Sequence, residues 1–160
     1  MSNYKKQWES FLNPENLKNR LVNISMYITV YEMLKDSIIN RIKDFYIIPY
    51  IKHNDDLDLL EYKNKVLSKH KNPFYASLIW LEEREVINKE EINKIEELKA
   101  YRNYLAHEMS MVVFTGDIKS LHENFLSIYQ LIHKIENWWI INYEMELTLD
   151  SVNIDEIDVE

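Results

Sequence analysis

Arg102, Asn103 and His107 form the one segment of this sequence whose residue types and spacing favour chemistry. The guanidinium of Arg102 offers a permanent positive charge and a planar set of donors that fits a phosphate. The imidazole of His107 can take or give a proton near neutral pH, and the amide of Asn103 can orient either group. These groups suffice for metal-free cleavage of RNA, in which the substrate's own 2′-OH is the nucleophile.

The positions of these residues around a helix decide whether they can act together. Arg102 and His107 project about 140° apart on an ideal helix, whereas Asn103 and His107 are four residues apart and share a face. The long side chain of Arg102 can swing its guanidinium toward that face, so we expect the three groups to converge. The alternative is that Arg102 and His107 are ordinary residues at a helix C-terminus, where positive charge interacts favourably with the helix dipole.

The composition excludes several other kinds of site. The 160 residues include no cysteine and only one glycine. The absence of cysteine excludes disulfides, thiolate zinc sites and iron–sulfur clusters, and it suits a reducing compartment such as the cytoplasm. A single glycine cannot form GxGxxG or GxxxxGK[ST], which excludes the P-loop and dinucleotide-binding types. No histidine has a glutamate three residues before it, as di-iron bundles require, so we expect neither a metal nor an organic cofactor.

The charge is distributed unevenly along the chain. A net charge of −8 argues against an RNA partner, because phosphate binding needs clustered Lys and Arg. Seven of the 27 acidic residues lie in residues 144–160, which contain no Lys or Arg, so the preceding part is nearly neutral. We predict a single domain over residues 1–145 and an acidic, flexible tail over residues 146–160.

Targeting and membrane signals are not apparent in the sequence. No apolar segment follows the N-terminal residues as it would in a secretory signal, and no stretch approaches the roughly 20 apolar residues of a membrane span. We expect a cytoplasmic protein that does not contact a membrane.

The apolar pattern predicts an all-α, up-and-down bundle of about five helices. Few glycines and prolines also favour helices over folds rich in hairpins. Asn13-Pro14 is a strong helix start, and Asn88-Lys89-Glu90-Glu91 has the form of a capping box. The predicted helices begin near Pro14, Asp55, Pro73, Lys89 and Asp117.

The first and fifth predicted helices have the most complete apolar stripes, and we expect them to be the longest. Apolar residues recur at steps of three and four in the first helix until Pro49 ends it, and the second helix runs to about Lys69. Residues 109–114 are the only strongly β-like run. The first stripe consists of Leu17, Leu21, Ile24, Ile28, Tyr31, Leu34, Ile38, Ile42 and Phe45, and the fifth of Leu121, Phe125, Ile128, Ile132, Ile135 and Trp139.

The segment Arg102-Asn103-x-x-x-His107, late in a helix of a cysteine-free bundle, resembles the HEPN superfamily (higher eukaryotes and prokaryotes nucleotide-binding domains). The resemblance covers about residues 14–145 by architecture and six residues by motif. It implies a metal-independent endoribonuclease with a role as a toxin, in phage defence or in RNA processing. By analogy with that family, the resemblance implies that Arg102 holds the phosphate, that His107 is the acid–base catalyst and that Asn103 orients them.

The resemblance also implies partners. Two subunits of such proteins usually bring their motifs together across a dimer axis, so it implies a homodimer that acts on RNA. An antitoxin or activator protein is a further expected partner. Toxins of the family that pair with a nucleotidyltransferase antitoxin often carry a tyrosine two positions after the histidine, where this chain has Met109. Control by that kind of antitoxin is therefore in doubt.

Other functions stay open at this point. A non-catalytic HEPN-like bundle that binds RNA or protein, and a purely structural helical adaptor, fit the same composition. Trp138-Trp139, with Tyr129 and Tyr143, is expected to pack in the core or a dimer interface rather than stack on bases. Glu32, Lys35 and Asp36 lie in the middle of the first helix, and the sequence does not determine which of them faces the motif.

Overall fold

A computed structural model of the chain describes residues 3–47, 55–118 and 120–144, which form seven α-helices and contain no strand. The predicted all-α class is confirmed, with two more helices than expected. The predicted tail over residues 146–160 lies outside the described residues. The helices are α1 (Asn3–Phe11), α2 (Pro14–Tyr46), α3 (Asp55–Lys65), α4 (Pro73–Glu83), α5 (Lys89–His107), α6 (Met109–Thr115) and α7 (Leu121–Trp139).

Helix α2 is the centre of the fold, because it packs against each of the other six described helices. Its buried face repeats at steps of three and four, through Ile24, Tyr27 and Tyr31 and on to Tyr46, as an α-helix surrounded by neighbours requires. Leu21 belongs to the predicted stripe but is 41% exposed, because it lies about 90° around the helix from the buried face. The α2 helix therefore positions the side chains that project from its flanks.

The predicted helix starts at Pro14, Pro73 and Lys89 each have a cap hydrogen bond to the side chain of the preceding asparagine. Asn13 accepts from the backbone N–H of Asn16 at 3.1 Å, and Asn72 caps the start of α4. Both bonds of the capping box are present between Asn88 and Glu91, each at 2.9 Å. These bonds satisfy backbone donors that a helix start leaves unpaired, and they fix where α5 begins.

The interpretation of residues 109–114 as β-like is wrong, because Met109–Thr115 is helix α6. A short apolar run does not distinguish a strand from a buried helix by its pattern, and here packing decides. Val112 and Val113 are buried, and the ring of Phe114 packs against the ring of Trp8 of α1, with ring centroids 4.9 Å apart. The helix ends at Gly116 in the left-handed region, with φ of 72°.

Three further differences concern helix ends and lengths. Helix α1 was not predicted, since it is a short, mostly polar segment that forms one aromatic contact face against α6. Helix α2, at 33 residues, is the longest as expected, but α7 and α5 have 19 residues each. Helix α3 ends at Lys65 and is followed by a 3₁₀ turn over Leu67–Lys69, and α7 begins at Leu121 rather than near Asp117.

The core of the described residues is rich in aromatic side chains. Trp80 of α4 is fully buried and stacks on Trp139 of α7, with ring centroids 5.8 Å apart and planes 13° apart. Trp80 also donates a hydrogen bond to the hydroxyl of Tyr46 at 3.1 Å. Core packing of Trp139 is thus confirmed, whereas Tyr129 is 58% exposed.

Among the described helices, none is long and apolar enough to cross a membrane.

Candidate functional site

Arg102 and Asn103 line a cleft of about 400 Å³ between α2, the start of α4 and α5. Helix α2 forms one wall of the cleft and α5 forms the opposite wall. The full lining consists of Tyr31, Glu32, Lys35, Ile39, Asn72, Pro73, Phe74, Lys99, Arg102 and Asn103.

The guanidinium of Arg102 is held in place by two acceptors. One Nη lies 2.7 Å from a carboxylate oxygen of Glu32, and the other donates to the amide oxygen of Asn103 at 3.4 Å. The Nε atom of Arg102 is buried and has no hydrogen-bond partner among the described residues. The side chain is 31% exposed, so a ligand in the cleft can reach the guanidinium.

Glu32 lies between two cations of this cleft. Besides the contact with Arg102, it accepts from the ammonium of Lys35 at 3.4 Å. Asp36 belongs to a different groove of α2, where its carboxylate accepts from Asn40. Of the three first-helix residues left open by the sequence, Glu32 and Lys35 therefore face Arg102 and Asp36 does not.

A second polar group occupies the α4 side of the cleft. The ammonium of Lys99 lies 2.6 Å from the hydroxyl of Tyr75, which also contacts Glu96 at 3.1 Å. Tyr31 is 4% exposed at the cleft. Burial first, and then the charge of Glu96, raise the pKa of Tyr31 to about 12. Tyr31 is therefore a neutral hydroxyl at physiological pH.

The lining of the cleft is positive, in contrast to the chain as a whole. Lys35, Lys99 and Arg102 carry positive charge and Glu32 is the one anion among the lining residues. The whole chain has a net charge of −8. A local excess of cations in a concave site favours an anionic ligand, and Arg and Lys are the residues that bind phosphate.

His107 does not line this cleft. It is the last residue of α5, its side chain is exposed, and among the described residues it has no hydrogen-bond or ion-pair partner. Helix α5 ends there because Glu108 leaves the helical conformation, with φ of −103° and ψ of 19°, while its N–H still donates to the carbonyl of Tyr104 at 2.8 Å. Arg102 and Asn103 therefore share this cleft, and His107 lies one helical turn beyond Asn103 without a side-chain hydrogen bond to either of them.

Lys99 and Tyr75 were missed by sequence reasoning. Lys99 precedes Asn103 by four residues, the same interval that separates Asn103 from His107, so helical spacing is a signal that could have found it. Tyr75 gives no such signal, because it belongs to α4 and is brought to Lys99 only by packing.

Glu136, on α7, belongs to the α2–α7 contact. Its carboxylate accepts two hydrogen bonds from Arg41, at 3.0 and 2.8 Å, and a further one from Ser37. His133 contacts Asn137 on its own helix. This carboxylate is therefore engaged in holding two helices together.

Comparison with known proteins gave no relatives for this chain. No family model, curated protein or solved structure matches it.

Proposed function

We propose that the protein is a metal-independent endoribonuclease of the HEPN type. The observation that carries the proposal is the cation-rich cleft on which Arg102 and Asn103 lie, with the exposed imidazole of His107 one turn further along the same helix. A phosphodiester bound at this end of α5 would lie near the guanidinium of Arg102, the amide of Asn103 and the imidazole of His107. The cationic lining offsets the acidity of the chain where the substrate would bind.

The proposed reaction is transesterification within the RNA. The 2′ oxygen attacks the adjacent phosphorus while a base takes its proton, and the bond from phosphorus to the 5′ oxygen breaks as an acid protonates that oxygen. The products are a 2′,3′-cyclic phosphate and a 5′-hydroxyl end. In this scheme His107 transfers the proton, Arg102 stabilises the charge that develops on the phosphorane oxygens, and Asn103 holds the guanidinium.

A second copy of the chain would complete the site. One chain supplies one imidazole at this segment, whereas taking one proton and giving another is easier with two. Helix α2 carries an exposed apolar face whose members include Leu21, Met26 and Met33, at 41%, 50% and 57% exposure. Leu21, Ser25, Ile28 and Glu32 follow one another at steps of four and three, so this face borders the cleft. We propose that the face holds the second copy.

The test compares His107→Ala and Arg102→Ala with the parent protein on labelled RNA. Loss of the imidazole should lower cleavage about 10²–10⁴-fold and leave binding intact. Loss of the guanidinium should weaken both cleavage and binding. The matched control is His122→Ala, which removes another exposed histidine, on α7, and should cleave normally. Activity should resist EDTA and spare the same sequence as DNA, which lacks the 2′-OH.

The test also addresses assembly and an external activator. If two copies form the site, specific activity should fall on dilution below the dimer dissociation constant, as measured by light scattering. The assay is repeated with the product of the neighbouring gene added, because an activator or antitoxin is a proposed partner. A parent protein that neither cuts nor binds any RNA under either condition would remove the nuclease proposal and leave the helical adaptor.

A second candidate function is RNA binding without cleavage. It is favoured by one observation, the position of His107 outside the cleft with no orienting partner among the described residues. In that case Arg102→Ala should lower affinity while His107→Ala leaves RNA intact and bound as before. The two functions therefore differ in whether the parent protein generates cyclic phosphate ends.

A further inference from the structure

Lys99, Asn103 and His107 form a polar row along one side of α5. They stand at intervals of four residues, so each step advances about 6 Å along the helix axis, and the row extends about 12 Å. The start of the row lies in the cleft and its end lies at the exposed C-terminus of α5. A strand that follows this row would place one phosphate near His107 and a neighbouring one in the cleft.

The cleft end of the row has an ammonium prepared for an anion. Lys99 is 33% exposed, and its Nζ lies over the rings of Phe74 and Tyr75, at 5.6 and 4.6 Å from their centroids. Its nearest carboxylate oxygen, on Glu96, is 3.9 Å away, while the Tyr75 hydroxyl is at 2.6 Å. An ammonium has three donors, so the contact with Tyr75 leaves donors for a further acceptor.

Lys35 places a second ammonium on the opposite wall. It comes from α2, is 44% exposed and shares the carboxylate of Glu32 with Arg102. One carboxylate thus serves two cations, which leaves the ammonium of Lys35 able to bind the second phosphate while Arg102 acts on the phosphate that is cleaved. Lys35 contacts only Glu32 of its own helix among the described residues, so it does not join α2 to α5, which are held by buried contacts such as Tyr27 with Leu98.

We propose that this cleft binds a second phosphate of a single-stranded RNA, next to the phosphate that faces His107, with the strand lying along α5. The inference rests on the proposed function and assigns the path of its substrate. A cleft of about 400 Å³ between three helices has the size of a small-ligand pocket, which a single nucleotide can enter and a double helix cannot. Binding should therefore require at least two phosphodiesters and an unpaired strand.

The experiment measures binding of labelled oligouridines of two to eight nucleotides by fluorescence anisotropy, in the His107→Ala background so that the RNA stays intact. Affinity should rise in a step when the second phosphodiester is added. Lys99→Gln and Lys35→Gln should each remove most of that step, weaken binding of the longer RNA about 3–10-fold at 0.15 M salt, and reduce the slope of log affinity against log salt by about 0.7.

Lys94→Gln is the matched control, because Lys94 is on the same helix and also pairs with a glutamate three residues away, Glu97 on its C-terminal side, whereas Lys99 pairs with Glu96 on its N-terminal side. It projects about 140° away from Lys99 and should leave the step unchanged. Lys99→Arg keeps the charge and should retain the step even if Lys99→Gln loosens the contact with Tyr75. Circular dichroism melting shows whether each variant is folded.

The outcomes separate this inference from the proposed function. Suppose that the parent protein cleaves RNA, but affinity does not rise with the second phosphodiester or Lys99→Gln and Lys35→Gln bind RNA as Lys94→Gln does. The proposed path along α5 is then wrong, and the proposed nuclease function is kept. If the parent protein does not cleave but the step and its lysine dependence are present, the path is right and the protein is a binding module. Equal binding of the RNA annealed to its complement would also overturn the inference.

Discussion

Replacing Glu32 by glutamine should strengthen RNA binding, although it removes an ion pair. Glu32 is the one anion in the cleft, 2.7 Å from Arg102, and a phosphate on the same guanidinium would lie within about 5 Å of it. At that distance two like charges repel by about 1 kcal/mol in water and about 3 kcal/mol at an effective dielectric of 20. Because Glu32 is 38% exposed, the lower value applies. We expect about fivefold tighter binding.

The substitution should hardly change stability. A pair with both side chains about a third exposed contributes about 0–1 kcal/mol, so the melting temperature should shift by less than about 4 °C. The glutamine oxygen can still accept from Arg102, which keeps the guanidinium in place.

Anisotropy titration of the Glu32→Gln variant in the His107→Ala background measures the effect. Glu97→Gln removes the same charge from the far side of α5, where Glu97 pairs with Lys94, and should change affinity less than 1.5-fold. Weaker binding of Glu32→Gln than of Glu97→Gln would refute the reasoning, since Glu32 would then orient Arg102 for phosphate rather than compete with it.

Two further predictions concern the scaffold. Gly116→Ala should lower the melting temperature by about 4–8 °C, because the residue has φ of 72° and a Cβ would lie 2.7 Å from the guanidinium of Arg20, which is bonded to the carbonyls of Val113 and Phe114; an unchanged melting curve would contradict this. The raised pKa of Tyr31, about 12 in the folded chain, means that the stability it contributes is complete below pH 10 and is lost as the pH rises toward 12. In the Tyr31→Phe variant, the free energy of unfolding measured in urea should fall less between pH 10 and pH 12 than it does in the parent protein. An equally steep fall in both would show that other groups control the loss.

Local signals in the sequence were sufficient wherever a helix has its own start residue and its own apolar stripe. The capping box at Asn88 and the stripe of α2 predict α5 and the central helix because both depend on residues close in sequence. Helix α6 was misassigned for the opposite reason. Its valines favour a strand by propensity, but they are buried and Phe114 packs against α1, about a hundred residues earlier, so tertiary packing overrides that propensity.

Some contacts in the site likewise follow from residues close in sequence, and others depend on how distant helices pack. Arg102 and Asn103 are adjacent in sequence, and their shared position follows from helical geometry. The carboxylate of Glu32 comes from α2, and Tyr75 comes from α4, so their contacts with Arg102 and Lys99 depend on how three helices pack. Residue type alone marked Glu32 as a candidate, but nothing in the sequence ranked it above Asp36.

The position of His107 determines how the two candidate functions differ physically. At the last residue of α5 its imidazole is exposed, and no group of the described residues fixes its orientation. A general acid or base is effective only when it is held within hydrogen-bond distance of the proton that it transfers. In the proposed nuclease, we therefore expect an orienting contact that the described residues do not supply, from the RNA or from a second copy of the chain. A monomer with the cleft alone would be a phosphate-binding surface, and assembly across the exposed face of α2 is what would convert that surface into a nuclease.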